Sequence, residues 1–355
     1  MQELLLFQSI LKWLQYPDAN RDLPVYCQMR VLITGATGFI GRHLVNLLLS
    51  RNMQLICVVR NTSKPITVGK PRDMLHVIKG DLNEISTFEK LPKSVDVAVH
   101  LAALLGDWNI DEEKIIKTNV QMTQRLLEWF CSSNCKHFVF ISTPGVQGFG
   151  HKLATETEPY NPRDIYERTK TSAEKMIQTH KFKPGQNWTI IRPDFVYGPE
   201  DSRRIKLYKR IKARQWIRVG KGNSVLRPTY VTDVCRAVYM CLQNDRAYSQ
   251  IFNVAGPELV SCDEYIAIIA KLLDVKLLPL RLPISVFMIG AVFFEWIAKA
   301  FHTRPFFTRS QIEFLTKDHG TSISKIRNLL GFTPAIDLEN GMQKTLTWAK
   351  EQNLL

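Results

Sequence analysis

The stretch Arg30-Val-Leu-Ile-Thr-Gly-Ala-Thr-Gly-Phe-Ile-Gly41 constrains this chain more than any other. Val31, Leu32 and Ile33 make an apolar run of strand length. Gly35, Gly38 and Gly41 follow at intervals of three, and Leu44, Val45, Leu47, Leu48 and Leu49 then recur as on an amphipathic helix. A strand, a glycine turn and a helix in that order suit a dinucleotide phosphate. Gly35 permits the turn, Gly38 allows close backbone approach, Gly41 lets helix and strand pack, and the helix N-terminus attracts the anion. The spacing alone is weak evidence; the strand before it and the helix after it are the context that gives it meaning.

Thr34 to Gly41, TGATGFIG, resembles the cofactor fingerprint of the extended short-chain dehydrogenase/reductase family. That family includes nucleotide-sugar epimerases and dehydratases, 3β-hydroxysteroid dehydrogenases and dihydroflavonol reductases. The resemblance runs from about Met29 to the C-terminus. It implies an α/β fold with a Rossmann-type doubly wound parallel sheet over 29–200. Residues 201–355 should form a smaller, mainly substrate-binding portion, with a return strand to the core sheet near 251–254. Thr37, Phe39 and Ile40 would join the three glycines at the cofactor.

Residues 1–28 precede the strand with which such a fold normally begins, and are read as an appended N-terminal extension or the product of a misplaced start codon. The apolar run from Leu4 to Leu14 is too short to span a bilayer. No basic segment followed by a small-residue cleavage site marks a signal peptide. Seven cysteines without regular spacing argue against a disulfide framework and for a reducing, cytoplasmic compartment. Cys131 and Cys135 have no matching pair, so no zinc site is expected. The net charge of +14 suits an acidic partner, a phosphorylated ligand or an anionic membrane surface. No nucleic-acid motif accompanies that charge.

Gln54 to Val59 reads as the second strand, with Arg60 at its end and no acid before Lys64. A carboxylate there would bond the ribose 2′-hydroxyl of NAD, whereas an arginine accommodates a 2′-phosphate. Arg60 and Lys64 therefore point to NADP(H), with NAD(H) as the alternative, and VVRNTS resembles the dihydroflavonol-reductase-like branch. By the same resemblance, Asp81 beside Leu82 faces the adenine. Leu101, Ala102 and Ala103 leave room beside the fourth strand for the cofactor backbone. His100 is read as lining, and Asn119, on a helix from about 112 to 130, as a buried group satisfying backbone atoms.

The fifth strand, His137 to Ile141, runs into Ser142-Thr143-Pro144, and Tyr166 and Lys170 follow four residues apart. On a helix those two share a face. A free tyrosine titrates near 10, and a neighbouring ammonium stabilises phenolate, bringing a base toward neutrality. A strand-end hydroxyl can hold the reacting oxygen. The resemblance makes Tyr166 the acid/base and Lys170 the group that lowers its pKa and binds ribose. Thr143 is placed first for the hydroxyl, with Ser142 beside it.

Arg192-Pro193-Asp-Phe-Val-Tyr-Gly-Pro199 resembles the family segment that packs against the nicotinamide. Arg227 matches the arginine that clamps a substrate diphosphate in nucleotide-sugar enzymes, and Asp233 is placed to cap the next helix. Residues 203–218 read as a basic amphipathic helix, and 282–301 as an apolar helix interrupted by Glu295 and Lys299. The second either covers the substrate pocket or contacts a membrane, and peripheral membrane contact through either segment is part of the expectation. The C-terminal segments, Arg304–Arg309 and Ser324–Pro334, resemble 3β-hydroxysteroid-dehydrogenase-like members and favour a hydrophobic substrate.

Together these features predict an NAD(P)-dependent oxidoreductase moving hydride between nicotinamide and a secondary alcohol or ketone, with a homodimer among the expected partners. A nucleotide-sugar epimerase or dehydratase retaining NAD is the second reading, and a non-catalytic cofactor-binding scaffold the third.

Overall fold

The computed structural model describes residues 29–60, 66, 72–106 and 110–355. The leading extension and Lys64 lie outside the described residues. Seven strands form one parallel sheet: β1 (Arg30–Thr34), β2 (Gln54–Val59), β3 (Leu75–Lys79), β4 (Val97–His100), β5 (His137–Ile141), β6 (Asn187–Pro193) and β7 (Gln250–Val254). Their order is β7-β6-β5-β4-β1-β2-β3. The winding reverses between β1 and β4, which opens a crevice at the carboxyl ends of those strands, where such folds bind ligands.

Both sheet faces are covered, so the strands are nearly continuous apolar runs. Alternation sorts their side chains. Val31, Ile33, Leu55 and Cys57 join one core with Leu44 and Val45 of helix α1 (Phe39–Ser50). Leu32, Ile56 and Val58 join the other, with Leu126 and Leu127 of α2 (Met122–Ser132) and Ala173 and Ile177 of α3 (Ile165–Thr179). Between 112 and 132 the helix is not uniform: a π-helical turn, Lys117–Gln121, interrupts it and carries Asn119. Asn119 donates to the Leu104 carbonyl and the Thr169 hydroxyl and accepts the Leu104 N–H, fixing the loop after β4 to α3.

Beyond β6 the basic segment is helical only over Ile205–Lys212, here α4, because Gly220 and the short strand at Arg218–Val219 follow a turn at Arg214. Helix α5 (Val231–Cys241) packs on α1. Its N-cap is Tyr230, not Asp233. Asp233 lies inside the helix, pairs with Arg236 and accepts the N–H groups of Ala335 and Ile336, so it anchors the C-terminal segment. A third apolar cluster, with Tyr197, Tyr208, Tyr230, Tyr265, Met342 and Trp348, forms the core of this portion. Helices α6 (Ile284–Ala300) and α7 (Arg309–Thr316) pack on each other at its edge.

Candidate active site

The glycine turn is built as a phosphate cradle. Gly35 has φ +75°, and a Cβ there would stand 2.6 Å from the Ala102 N and 2.8 Å from the Leu101 carbonyl carbon. At Gly41 it would stand 2.1 Å from the Gly35 oxygen, so strand and helix can approach only without it. Gly38 is exposed, in extended backbone, and its N–H closes the turn onto the Gly35 carbonyl at 2.9 Å. Helix α1 then starts with no side-chain cap and no acid in its first turn. Its first N–H groups therefore lack intrahelical partners. This arrangement fits a dinucleotide pyrophosphate.

Next to this turn lies a cleft lined by Ile40, Leu105, Ser142, Thr143, Tyr166, Pro193, Asp194, Phe195 and Phe314, with Arg163, Arg203 and Arg204 around it. Of the residues read from the sequence, it brings together Ile40, Ser142, Thr143, Tyr166 and Pro193. Ser142 and Thr143 leave the end of β5, and Pro144 starts a short 3₁₀ turn, Pro144–Gln147, for which Thr143 is the N-cap. The Thr143 hydroxyl accepts the Gly145 N–H at 3.2 Å. The Ser142 hydroxyl is buried with no hydrogen-bond partner. The turn packs on α3 one residue after Tyr166, where a Cβ at Gly145 would meet the Glu167 carboxylate at 2.5 Å.

Asp164 caps α3, accepting the Glu167 N–H at 2.7 Å, and Glu167 in turn accepts the N–H and guanidinium of Arg163. Tyr166 reaches the cleft from the first turn. Lys170, one turn on, is buried; its ammonium donates to the Ile141 carbonyl at 2.6 Å and lies 6.0 Å from the Tyr166 ring centre. Burial pushes Lys170 down to about 7, with Glu174 opposing. Burial also pushes Tyr166 up to about 12, and the first opposing charge is Arg203, not Lys170. In this structure the Lys170 ammonium is directed at the Ile141 carbonyl, and burial dominates both groups.

Two expected ligand-binding arginines are occupied elsewhere. Arg192 is 1% exposed and gives its Nε and Nη2 to the Glu174 carboxylate at 2.9 and 2.6 Å, tying β6 to α3. Arg227 donates to the carbonyls of Gly256, Pro257 and Thr321, so in this structure its guanidinium ties the 256–257 turn and the segment at Thr321 to its own, and it is not among the residues lining the cleft. His100 is fully buried between the hydroxyls of Thr34 and Thr123, at 2.6 and 3.0 Å, and burial lowers it to about 3. Asp81 accepts the backbone and side-chain N–H groups of Asn83 at the end of β3, and the Leu82 side chain is in the core. Ala102 borders the glycine turn, and Arg60 is exposed at the end of β2.

The sequence reading missed much of the cleft wall. Phe195 stacks on Phe314 at 5.3 Å between ring centres, and His319 lies tilted against Phe314 at 4.3 Å. Arg163 lies over Phe149 and Arg204 over Phe195. Arg203 and Arg204 are held by Asp201, which a reading of 203–218 as one solvated basic face could not reveal. Asp194, 4% exposed, accepts the Thr321 hydroxyl at 2.9 Å, and burial raises it to about 7. Its position inside the RPDFVYGP segment was the available signal.

A crossover-reversed parallel sheet, an uncapped glycine-turn helix, and strand-end hydroxyls sharing one cleft with a helical tyrosine define a nicotinamide-dinucleotide enzyme of the short-chain type. The model of the NAD dependent epimerase/dehydratase family matches residues 31–255, and the chain belongs to that family. It is 25% identical to the sterol-4-alpha-carboxylate 3-dehydrogenase, decarboxylating, of Saccharomyces cerevisiae, over 90% of this chain and 98% of that one. It is 28% identical to the UDP-glucose 4-epimerase of Vibrio cholerae, over 89% and 94%. Among solved structures, the UDP-glucuronic acid 4-epimerase of Bacillus cereus in complex with NAD has the same fold, with a TM-score of 0.72 at 22% identity, covering 91% of this chain and 97% of that one. No described helix is long and apolar enough to cross a membrane.

Proposed function

We propose that the chain is an NAD(P)-dependent oxidoreductase acting on a secondary alcohol or ketone of a largely apolar, ring-bearing substrate. The observation that carries this reading is the convergence of Tyr166 and the Ser142–Thr143 hydroxyls on one cleft beside the glycine turn. The bound nicotinamide would accept or supply the hydride. Gly35, Gly38 and Gly41 would hold the pyrophosphate, and Lys170 the ribose. Tyr166 moves the proton to or from the substrate oxygen, and a strand-end hydroxyl orients that oxygen. The chain's first half, 29–200, serves the cofactor and 201–355 mainly the substrate. NADP(H) is the preferred cofactor in this reading, on the strength of Arg60 and Lys64.

The substrate class rests on the aromatic wall of Phe149, Phe195, Phe314 and His319, which offers flat apolar faces. The engagement of Arg227 by three backbone carbonyls supports this class over a sugar diphosphate. The UDP-glucose 4-epimerase relative and the guanidiniums of Arg163, Arg203 and Arg204 favour a second reading, an epimerase with retained cofactor. Contact with a membrane and assembly as a homodimer complete the proposal.

Purified protein separates these readings. Exchangeable cofactor and turnover of hydroxysteroids, followed by nicotinamide absorbance, support the dehydrogenase. Tightly retained NAD and interconversion of UDP-sugars without net absorbance change would replace it with the epimerase.

A further inference from the structure

Helix α6 is packed on one side only. Phe287 and Phe294 turn inward against Phe307, and Ala291 and Ala298 are buried. The opposite side carries Val286, Ile289, Val292, Phe293 and Trp296, of which Ile289 is 72% and Trp296 66% exposed. Their spacing puts them on one stripe. Phe301 and Phe306, 72% and 63% exposed, add apolar surface just past the helix end, Phe306 lying against Phe294 and Phe307. Singly exposed apolar residues need no explanation, but a contiguous patch of this kind marks a contact surface.

We propose that this stripe lies along the surface of an anionic lipid bilayer, with α6 in the plane of the interface. Charge complementarity selects this occupant. Arg210 of α4 lies 4.4 Å over the ring of Phe306, so the basic helix adjoins the exposed apolar end of the α6–α7 unit. Lys206, Lys209 and Lys212 of α4 are exposed, as is Lys299 on α6 itself. An apolar stripe with Trp and Phe, bordered by lysine and arginine, is the composition of an interfacial helix. A second copy of the chain seated on the same stripe would bring two such basic borders together, which is unfavourable. Crossing the bilayer is excluded by length: the 17 residues of α6 span about 25 Å, against a hydrocarbon core of about 30 Å. The Glu295–Arg309 pair would also have to enter the core.

The placement deepens the membrane contact of the oxidoreductase reading, on which its substrate-delivery role rests. Helix α7, packed on α6, carries Phe314 of the cleft wall. The α6–α7 unit therefore joins the bilayer surface to the wall that an apolar substrate would meet, and a lipid-dissolved substrate has a short path to it.

Vesicle flotation of the full chain tests the placement without requiring turnover. Wild type should float with vesicles of phosphatidylcholine and phosphatidylglycerol, less with phosphatidylcholine alone, and less as salt is raised. Ile289→Gln with Trp296→Gln should lower binding by about tenfold or more. Lys209→Glu with Lys212→Glu should remove the preference for the acidic lipid, and serves as the second arm if the first variant folds poorly. Cofactor binding, measured in parallel, should be unchanged in both. Failure of wild type to float, equal flotation of the apolar variant, or a concentration-dependent dimer that this variant abolishes would overturn the proposal. Vesicle binding by a protein that binds no nicotinamide cofactor would leave this surface standing and contradict the oxidoreductase reading instead.

Discussion

Ser142 and Thr143 are neighbours at the end of β5, yet their hydroxyls are in opposite situations. The Thr143 oxygen accepts the Gly145 N–H at 3.2 Å and caps a 3₁₀ turn, while the Ser142 oxygen is buried beside the cleft with no partner. A buried, unpaired hydroxyl carries a desolvation cost that a substrate oxygen can relieve. The Thr143 hydroxyl can still donate while accepting, so both residues remain candidates for the orienting role, and substitution separates them. Thr143→Ser should be mild and Thr143→Val severe if Thr143 orients the substrate. A harmless Thr143→Val with a damaging Ser142→Ala, measured as kcat/KM, would transfer the role to Ser142.

Gly38→Val tests the phosphate cradle. A Cβ at Gly38 stands 3.1 Å from the Gly35 carbonyl oxygen, close but tolerable, whereas at Gly35 or Gly41 it would meet backbone below 3.0 Å. The chain should therefore stay folded while the valine side chain blocks backbone approach by the pyrophosphate. Titration should show cofactor affinity lowered by about tenfold or more, the equivalent of some 1.4 kcal/mol. Unchanged affinity would remove the dinucleotide assignment.

Arg60→Ala addresses cofactor choice. A charge-assisted contact to phosphate contributes about 1.5–3 kcal/mol, so the variant should lose NADP(H) affinity by about tenfold while NAD(H) is little affected. Wild-type protein that prefers NAD(H) would contradict this part of the account.

Asp194 makes stability depend on pH with a definite sign. Its folded pKa is raised to about 7 from 3.8 by burial, so between those values the folded state holds the proton that the unfolded state has lost. Its contribution is therefore fully present below about pH 4 and is lost as pH rises toward 7. Denaturant unfolding of Asp194→Asn, which keeps an acceptor for Thr321, should show a flatter pH dependence across this window than wild type. Identical profiles would mean that Asp194 titrates normally.

The parallel sheet and the crevice were legible in the sequence because apolar runs, the glycine turn and the Tyr166–Lys170 spacing are local signals. Asn119 was legible for the same reason, although the π-turn that carries it was not. What the sequence hid depends on which partner a charged group finds across the fold. Arg192 and Glu174 are 18 residues apart and close a buried ion pair. Arg227 finds its carbonyls 29, 94 and 30 residues away. Nothing local distinguishes a ligand-binding arginine from one that fastens the backbone. The cleft wall is assembled likewise, from Phe149, Phe195 and Phe314 on separate elements, and α6 reads as apolar whether its stripe is covered or exposed.

The central claim is that Tyr166 transfers the substrate proton on a cofactor-loaded chain. Tyr166→Phe removes only the hydroxyl, and general acid–base groups contribute about 10²–10⁴-fold. The decisive measurement is the turnover of Tyr166→Phe on a substrate the wild type uses, with cofactor affinity determined in the same preparation. A fall in kcat of about that size with affinity retained is the predicted result. Full activity in this variant would contradict the account.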